Sequence, residues 1–129
     1  MEIGTVINVA ILVLLVWFGF SRLRPAKGLR TLKSNEFKSE MEQLKNRLLL
    51  DVREQNEYKR GYIPNAKNIP LSQLQQRLGE IPKEQDILLY CQSGMRSKNA
   101  ARVLQKHGYT RLAHLRGGVS TWSGKLTRS

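Results

Sequence analysis

The sequence predicts an α/β fold built around a mainly parallel sheet. Short apolar runs alternate with segments of helical apolar spacing, and the two strongest runs are LLLDV at residues 48–52 and DILLY at residues 86–90. The length of 129 residues leaves room for one packed core and no second catalytic domain. In parallel sheets of this kind, binding and catalytic residues lie beyond the carboxyl ends of the strands.

The N-terminal segment is a separate element. Residues 3–20 include no charged side chain in 18 positions and would form a helix about 27 Å long, close to the thickness of a bilayer core. Met1 and Glu2 do not supply the basic start of a secretory signal peptide. The sequence therefore predicts one transmembrane helix, an anchor over residues 1–21, with membrane contact from Ile3 to Phe20.

A basic juxtamembrane linker is predicted over residues 22–30. Basic residues follow the apolar segment, and none precedes it; they are Arg22, Arg24, Lys27, Arg30 and Lys33. By the positive-inside rule, the C-terminal part then lies on the cytoplasmic side. The prediction is a single-pass membrane protein with a cytoplasmic domain over residues 31–129.

The distribution of the basic residues in that domain argues against nucleic-acid binding, although the domain is positively charged. The net charge is +12 for the whole chain, and residues 34–129 hold 17 basic and 9 acidic residues. The basic residues are scattered, and no aromatic platform interleaves with them. The surface is instead expected to favour anionic substrates or membrane proximity.

The first half of the domain is predicted to contain a helix, a strand, a short helical turn and a second strand. Ser34 is a predicted N-cap for a helix that carries Phe37, Met41 and Leu44 at helical spacing. The strand at 48–52 follows, then a short helical turn at 54–58. A brief strand at 66–69 lies among turn residues.

The second half repeats the alternation. Leu71, Leu74 and Leu78 predict a helix that ends at Gly79, and the strand at 86–90 leads directly into a glycine-containing loop. Ser97 is the predicted N-cap of the next helix, which ends near residue 108. A strand at 111–115 and a short helix at 119–122 complete the domain.

The loop CQSGMRS contains the only cysteine, Cys91, so no disulfide can form within this chain. Gly94 permits a tight turn, and the backbone N–H groups of residues 92–97 can then form an anion nest at a helix N-terminus. Such a nest stabilises a thiolate. The predicted site is the nucleophile Cys91 with loop residues Gln92, Ser93, Gly94, Met95, Arg96 and Ser97. The alternative is an inert buried thiol at a strand end.

Four segments in order, LLDVRE (49–54), GYIPNAKNIP (61–70), CQSGMRS (91–97) and LRGGVSTW (115–122), resemble a single rhodanese domain over residues 31–129. The resemblance implies a three-layer α/β/α fold with a five-stranded parallel sheet in the order 3-2-4-5-1. It implies sulfur transfer through a Cys91 persulfide, from donors such as thiosulfate to cyanide, thiols or a protein acceptor. Neither a cofactor nor a metal is implied.

The resemblance also implies that Asp51 and Arg53 brace the loop by hydrogen bonds, and a surface ion pair is the alternative. The sequence departs from the family at Tyr62, where His is frequent, and at Asn65, where Gly is frequent. Asparagine tolerates the left-handed conformation, so the turn at residue 65 is expected to survive.

Three other functions stay open. A cysteine-dependent phosphatase is disfavoured because Arg96 follows Cys91 by five positions, whereas phosphatases use six and a larger nest. Arsenate reduction is disfavoured alongside it. A membrane-tethered rhodanese module that binds a partner without turnover is the alternative from a different class.

Overall fold

The computed structural model describes residues 2–23 and 29–128, without the side chains of 19–23. Residues 24–28 of the predicted linker therefore lie outside the described residues. Helix α1 spans Ile3–Leu23, and each of its described side chains is exposed to solvent. In the described part of the chain, no helix meets the length and apolarity needed to cross a bilayer, so the structure does not support the predicted transmembrane helix.

A five-stranded sheet forms the centre of the domain. Its strands are β1 (Leu29–Leu32), β2 (Arg47–Asp51), β3 (Lys67–Asn68), β4 (Asp86–Tyr90) and β5 (Leu112–Leu115). All neighbours pair in parallel, in the order β1-β5-β4-β2-β3. The predicted parallel sheet and its strand order are confirmed. Strand β1 begins at Leu29, two residues before the predicted start of the domain.

Among the residues that the structure describes, three further α-helices pack around the sheet: α2 (Ser34–Gln43), α3 (Gln55–Arg60) and α4 (Met95–Lys106). The N-cap of α2 is Lys33, so the predicted cap at Ser34 is wrong by one residue. The Lys33 N–H donates to the Glu36 carboxylate at 3.0 Å, which supplies the cap from inside the first turn.

The predicted helix at 71–79 is two short 3₁₀ helices, Leu71–Gln73 and Gln75–Glu80. The backbone leaves helical geometry at Arg77, with φ −116° and ψ 19°. A third 3₁₀ helix, Gly118–Thr121, replaces the predicted helix at 119–122.

The core lies on both faces of the sheet, which explains the continuous apolar runs of β2 and β4. Leu89 packs in the layer that contains α4, whereas Leu88 packs in the layer that contains Phe37 of α2. Both leucines are fully buried. Cys91 belongs to the α4 layer, directly after β4.

The two departures from the family pattern are accommodated. Asn65 takes φ 73°, the left-handed conformation that the sequence analysis expected of it. Tyr62 stacks on Tyr58 with ring centroids 4.1 Å apart. The turn at residue 65 therefore survives with asparagine in place of glycine.

Candidate active site

The site lies where two adjacent parallel strands end. Asp51 of β2 is in register with Tyr90 of β4, and the Val52 N–H donates to the Tyr90 carbonyl at 3.0 Å. Arg53 and Cys91 therefore leave the same edge of the sheet side by side.

The Cys91 sulfur lies inside the turn that follows it. The backbone N–H groups of Gly94 and Ser97 point at Sγ, at 3.0 and 3.3 Å. Gly94 takes φ 103° and is the N-cap of α4, which begins at Met95. Ser97 is therefore the third helical residue and not the predicted N-cap. Two N–H donors and the positive end of a helix favour an anionic sulfur at this position.

The rim of the nest is exposed, although Cys91 itself has no exposed surface. Gln92, Ser93 and Met95 are exposed, and the exposed fraction of Met95 is 72%. A cleft of about 450 Å³ opens beside Gln92; its lining is Arg53, Glu57, Arg60, Gly61, Gln92, Val119 and Leu126. The loop itself thus separates the sulfur from solvent.

Ser97 connects the sulfur to a buried histidine. Ser97 Oγ lies 3.6 Å from Cys91 Sγ and 2.9 Å from Nδ1 of His114. The other ring nitrogen of His114, Nε2, lies 3.1 Å from the Thr31 hydroxyl. Burial and then the charge of Lys98 lower the pKa of His114. Nothing in the sequence spacing links His114 to Cys91, so His114 is not among the predicted site residues.

The guanidinium of Arg96 is paired with an acidic side chain of α3. It makes two hydrogen bonds to the Glu57 carboxylate on α3, at 2.6 and 2.8 Å. The hydrogen bond from Arg96 lowers the pKa of Glu57 to about 2. The positive charge expected at the loop is therefore already paired, and the nest is made by backbone groups.

The Glu57 pair predicts an acid-dependent loss of stability. A carboxyl whose pKa falls from 4.5 to about 2 on folding stabilises the protein above pH 4.5, and this stabilisation disappears as the pH falls towards 2. Glu57→Gln is expected to unfold at lower denaturant concentration than the wild type at pH 6, with the difference shrinking by pH 2.5. Urea midpoints across this range test it. A difference that does not change with pH would contradict it.

Asp51 and Arg53 form a buried ion pair, so the alternative of a surface pair does not hold. Both Asp51 carboxylate oxygens accept bonds from the Arg53 guanidinium, the shortest at 2.7 Å, and one also accepts from the Arg53 backbone N–H at 2.9 Å. The guanidinium also donates to the Gly61 carbonyl at 2.7 Å and to the Gln92 side chain at 3.4 Å. The pair thus contacts the loop through Gln92.

A second brace comes from the 3₁₀ helix at Gly118–Thr121. The Val119 N–H donates to the Cys91 carbonyl at 2.9 Å, and the Ser120 N–H and hydroxyl donate to the Gln92 carbonyl at 3.1 and 2.7 Å. The sequence predicted no role at the site for this segment. The signal was the glycine pair of LRGGVSTW, since Gly118 has φ 62° and lies against the loop backbone.

Gly118→Ala is expected to disrupt this contact. The added Cβ would lie 2.3 Å from the Cys91 carbonyl oxygen, at a φ of 62° that alanine disfavours. We expect the free energy of unfolding to fall by at least about 2 kcal/mol. Urea unfolding measures it, with Gly79→Ala as the matched control, because a Cβ at Gly79 meets nothing within 4 Å. Equal stability of the two variants would refute the prediction that the contact of Gly118 with the loop stabilises the fold.

Residues 33–125 match the rhodanese-like domain family. Together with the parallel sheet and the nest at Cys91, this match shows that the chain belongs to the rhodanese-like family. Sulfurtransferases are among its relatives.

Three comparisons place the chain within the family. It is 44% identical over 98 residues to the uncharacterized protein YqhL of Bacillus subtilis, covering 76% of this chain and 75% of the relative. It is 42% identical over 76 residues to a sulfurtransferase of Allochromatium vinosum, covering 59% and 71%. The crystal structure of a rhodanese-like domain protein from Staphylococcus aureus superposes with a TM-score of 0.69 at 29% identity, covering 78% and 98%.

Proposed function

We propose that the chain is a rhodanese-type sulfurtransferase that moves a sulfane sulfur from a donor such as thiosulfate to a thiophilic acceptor. The observation that carries the proposal is the position of Cys91 Sγ, which faces the N–H groups of Gly94 and Ser97 at the start of α4. An acid–base pair is not required. The reaction needs an anionic sulfur, and this geometry favours one.

The reaction is a double displacement at sulfur. The Cys91 thiolate attacks the outer sulfur of thiosulfate, a new S–S bond forms, and the S–S bond of thiosulfate breaks to release sulfite. The acceptor, for example cyanide, then attacks the outer sulfur of the persulfide. That bond breaks, thiocyanate leaves, and the thiolate is restored. During both steps the nest N–H groups stabilise the negative charge on Sγ.

The surroundings of the loop support anionic donors and a larger acceptor. Residues 34–129 hold 17 basic and 9 acidic residues, and this excess of positive charge favours the approach of anions. The cleft of about 450 Å³ beside Gln92 accommodates a small thiol or the thiol-bearing segment of a protein. We therefore propose thiol acceptors, including a protein acceptor, in addition to cyanide.

Sulfur loading tests the proposal. The purified full chain is incubated with thiosulfate, and its intact mass is expected to rise by one sulfur atom, which peptide mapping places on Cys91. Cyanide should then remove this sulfur and produce an equal amount of thiocyanate. The same chain unfolded in urea before thiosulfate is added serves as the control and should not load, because the nest exists only in the folded state.

The absence of sulfur loading would contradict the proposal. A folded chain that takes up no sulfur from thiosulfate or from polysulfide would refute the proposal that it is a sulfurtransferase. The non-catalytic binding module would then be the better account.

We further infer that the N-terminal helix attaches the domain to a membrane. The apolar side chains from Ile3 to Trp17 are exposed, and none of them belongs to either cluster of buried core residues. The basic residues that follow in sequence are consistent with attachment from the cytoplasmic side.

Flotation of the full chain with lipid vesicles tests the attachment, with Leu12→Glu as the variant expected to reduce it. A C-terminal alkylation reporter in intact cells tests the side of the membrane. Wild-type chain that stays with the soluble fraction would refute the attachment, and reporter labelling from outside would refute the cytoplasmic side.

A further inference from the structure

The contact between Ser97 and His114 joins a titratable ring to the reacting sulfur. His114 lies in β5 and is 5% exposed. Both of its ring nitrogens have hydroxyl partners, Ser97 at 2.9 Å and Thr31 at 3.1 Å. Each hydroxyl can donate or accept, so the tautomer of the ring decides the direction of both hydrogen bonds.

The Ser97 hydroxyl has one proton and three nearby acceptors. These are the Gly94 carbonyl at 3.1 Å, His114 Nδ1 at 2.9 Å and Cys91 Sγ at 3.6 Å. When Nδ1 has no proton, it competes for the serine proton. When Nδ1 carries a proton, it donates to the serine oxygen, and the hydroxyl is free to donate to the sulfur. A thiolate is then a stronger acceptor than a carbonyl, because it is charged.

We propose that His114 is a positioning residue for sulfur transfer: through Ser97, its ring tautomer decides whether the hydroxyl accepts from the Cys91 thiol or donates to the Cys91 thiolate. The inference rests on the proposed function and adds the group that controls formation of the thiolate. His114 does not touch the sulfur itself.

The proton balance is complete without a charged ring. The S–H proton of Cys91 passes to Ser97 Oγ as the Ser97 proton passes to Nδ1. The Nε2 proton then passes to the Thr31 hydroxyl, whose own proton passes to solvent water. The products are the thiolate, intact hydroxyls on both residues, a neutral ring in the Nδ1–H form and one hydrated proton. Thr31 is exposed, so the last transfer reaches solvent.

A neutral ring fits its surroundings. Burial and the charge of Lys98 on α4 both lower the pKa of His114. On β4, the residue in register with His114 is the uncharged Leu89. On β1, Arg30 is engaged by Glu40 of α2.

The charges on the sulfur side are paired. Arg96 of α4 is bound by Glu57, and Arg53 by Asp51. The hydroxyl of Ser97 is therefore the adjustable group closest to Sγ, and the His114 ring is the group that adjusts it.

The first test measures the rate of Cys91 persulfide formation from thiosulfate between pH 5 and 10, by intact mass of the full chain. His114→Leu is expected to shift the midpoint of this profile by about one pH unit, a tenfold change in thiol ionisation, because no ring nitrogen then sets the direction of the Ser97 hydrogen bonds. His114→Asn should stay near the wild type, because an amide can turn either its oxygen or its nitrogen to Ser97. In a Ser97→Ala background, His114→Leu should cause no further shift.

The matched control is His107→Leu, the same chemical change at the exposed end of α4. It should leave the profile in place. If His114→Leu lowers the rate by one factor at every pH with an unchanged midpoint, the role is structural and the proposal is overturned. If the wild type forms no persulfide, the proposed function fails instead, so the two failures are distinct.

A second test needs no variant and is unaffected by folding defects. Nitrogen NMR shifts of His114 in the wild-type chain report which ring nitrogen carries the proton. We expect the Nε2–H form at low pH, where Cys91 is a thiol, and the Nδ1–H form once it is a thiolate. An unchanged tautomer across the ionisation of Cys91 would overturn the proposal.

Discussion

The Cys91→Ser variant is expected to fold and to show no sulfur transfer. Serine differs from cysteine by one atom, so it fits the fully buried position behind β4 and retains its contact with the Gly94 N–H. A hydroxyl cannot hold a sulfane sulfur, and it remains protonated where a thiol ionises. Thiocyanate production from thiosulfate and cyanide should fall to the rate without protein.

The measurement needs a proof of folding, which circular dichroism and a cooperative urea transition near that of the wild type provide. Cys91 is the only cysteine in the chain, so a loaded sulfur in the wild type has a single possible site. Wild-type rates from a folded Cys91→Ser variant would refute the persulfide mechanism. If the Cys91→Ser variant loses both sulfur transfer and folding, the experiment would be repeated with Cys91→Ala.

The Asp51→Ala variant is expected to suffer the largest loss of stability. It leaves the Arg53 guanidinium without its carboxylate in a position where only 4% of the side chain is exposed. Breaking one partner of a buried ion pair costs about 3–5 kcal/mol, a large part of the stability of a typical domain. The free energy of unfolding from urea titration measures the loss.

An exposed ion pair supplies the control. Asp86 binds Arg111 at 3.0 Å, and the arginine side chain is 47% exposed. Asp86→Ala should therefore cost at most about 1 kcal/mol. In addition, replacing both members of the buried pair, as Asp51→Leu with Arg53→Met, should restore part of the lost stability. Equal costs for Asp51→Ala and Asp86→Ala would contradict the burial argument.

Much of the fold was accessible from sequence because its central strands are buried on both faces. The runs that form β2 and β4 are continuous and apolar, which is the pattern of a covered parallel strand. Strand β1 was not predicted from its own residues, since LRTL has only four residues and two of them are exposed. Its place comes from pairing with β5, which local sequence does not encode.

The candidate site likewise has a local part that the sequence predicts and a long-range part that it does not. The nest at Cys91 is local, made by backbone groups within six residues, so a cysteine, a glycine and a helix start were enough to predict it. His114 and Thr31 are 83 positions apart and meet only through the β1–β5 register. The hydrogen bonds from the 3₁₀ helix to the Cys91 and Gln92 carbonyls likewise depend on tertiary packing, which local sequence does not encode.

The burial of Cys91 has a consequence for chemical damage. Peroxide attacks exposed thiolates most readily and carries them to sulfenic and then to irreversible acids. The loop covers Sγ completely in the unloaded state. The same cover is therefore expected to slow oxidation of the cysteine sulfur in the unloaded protein.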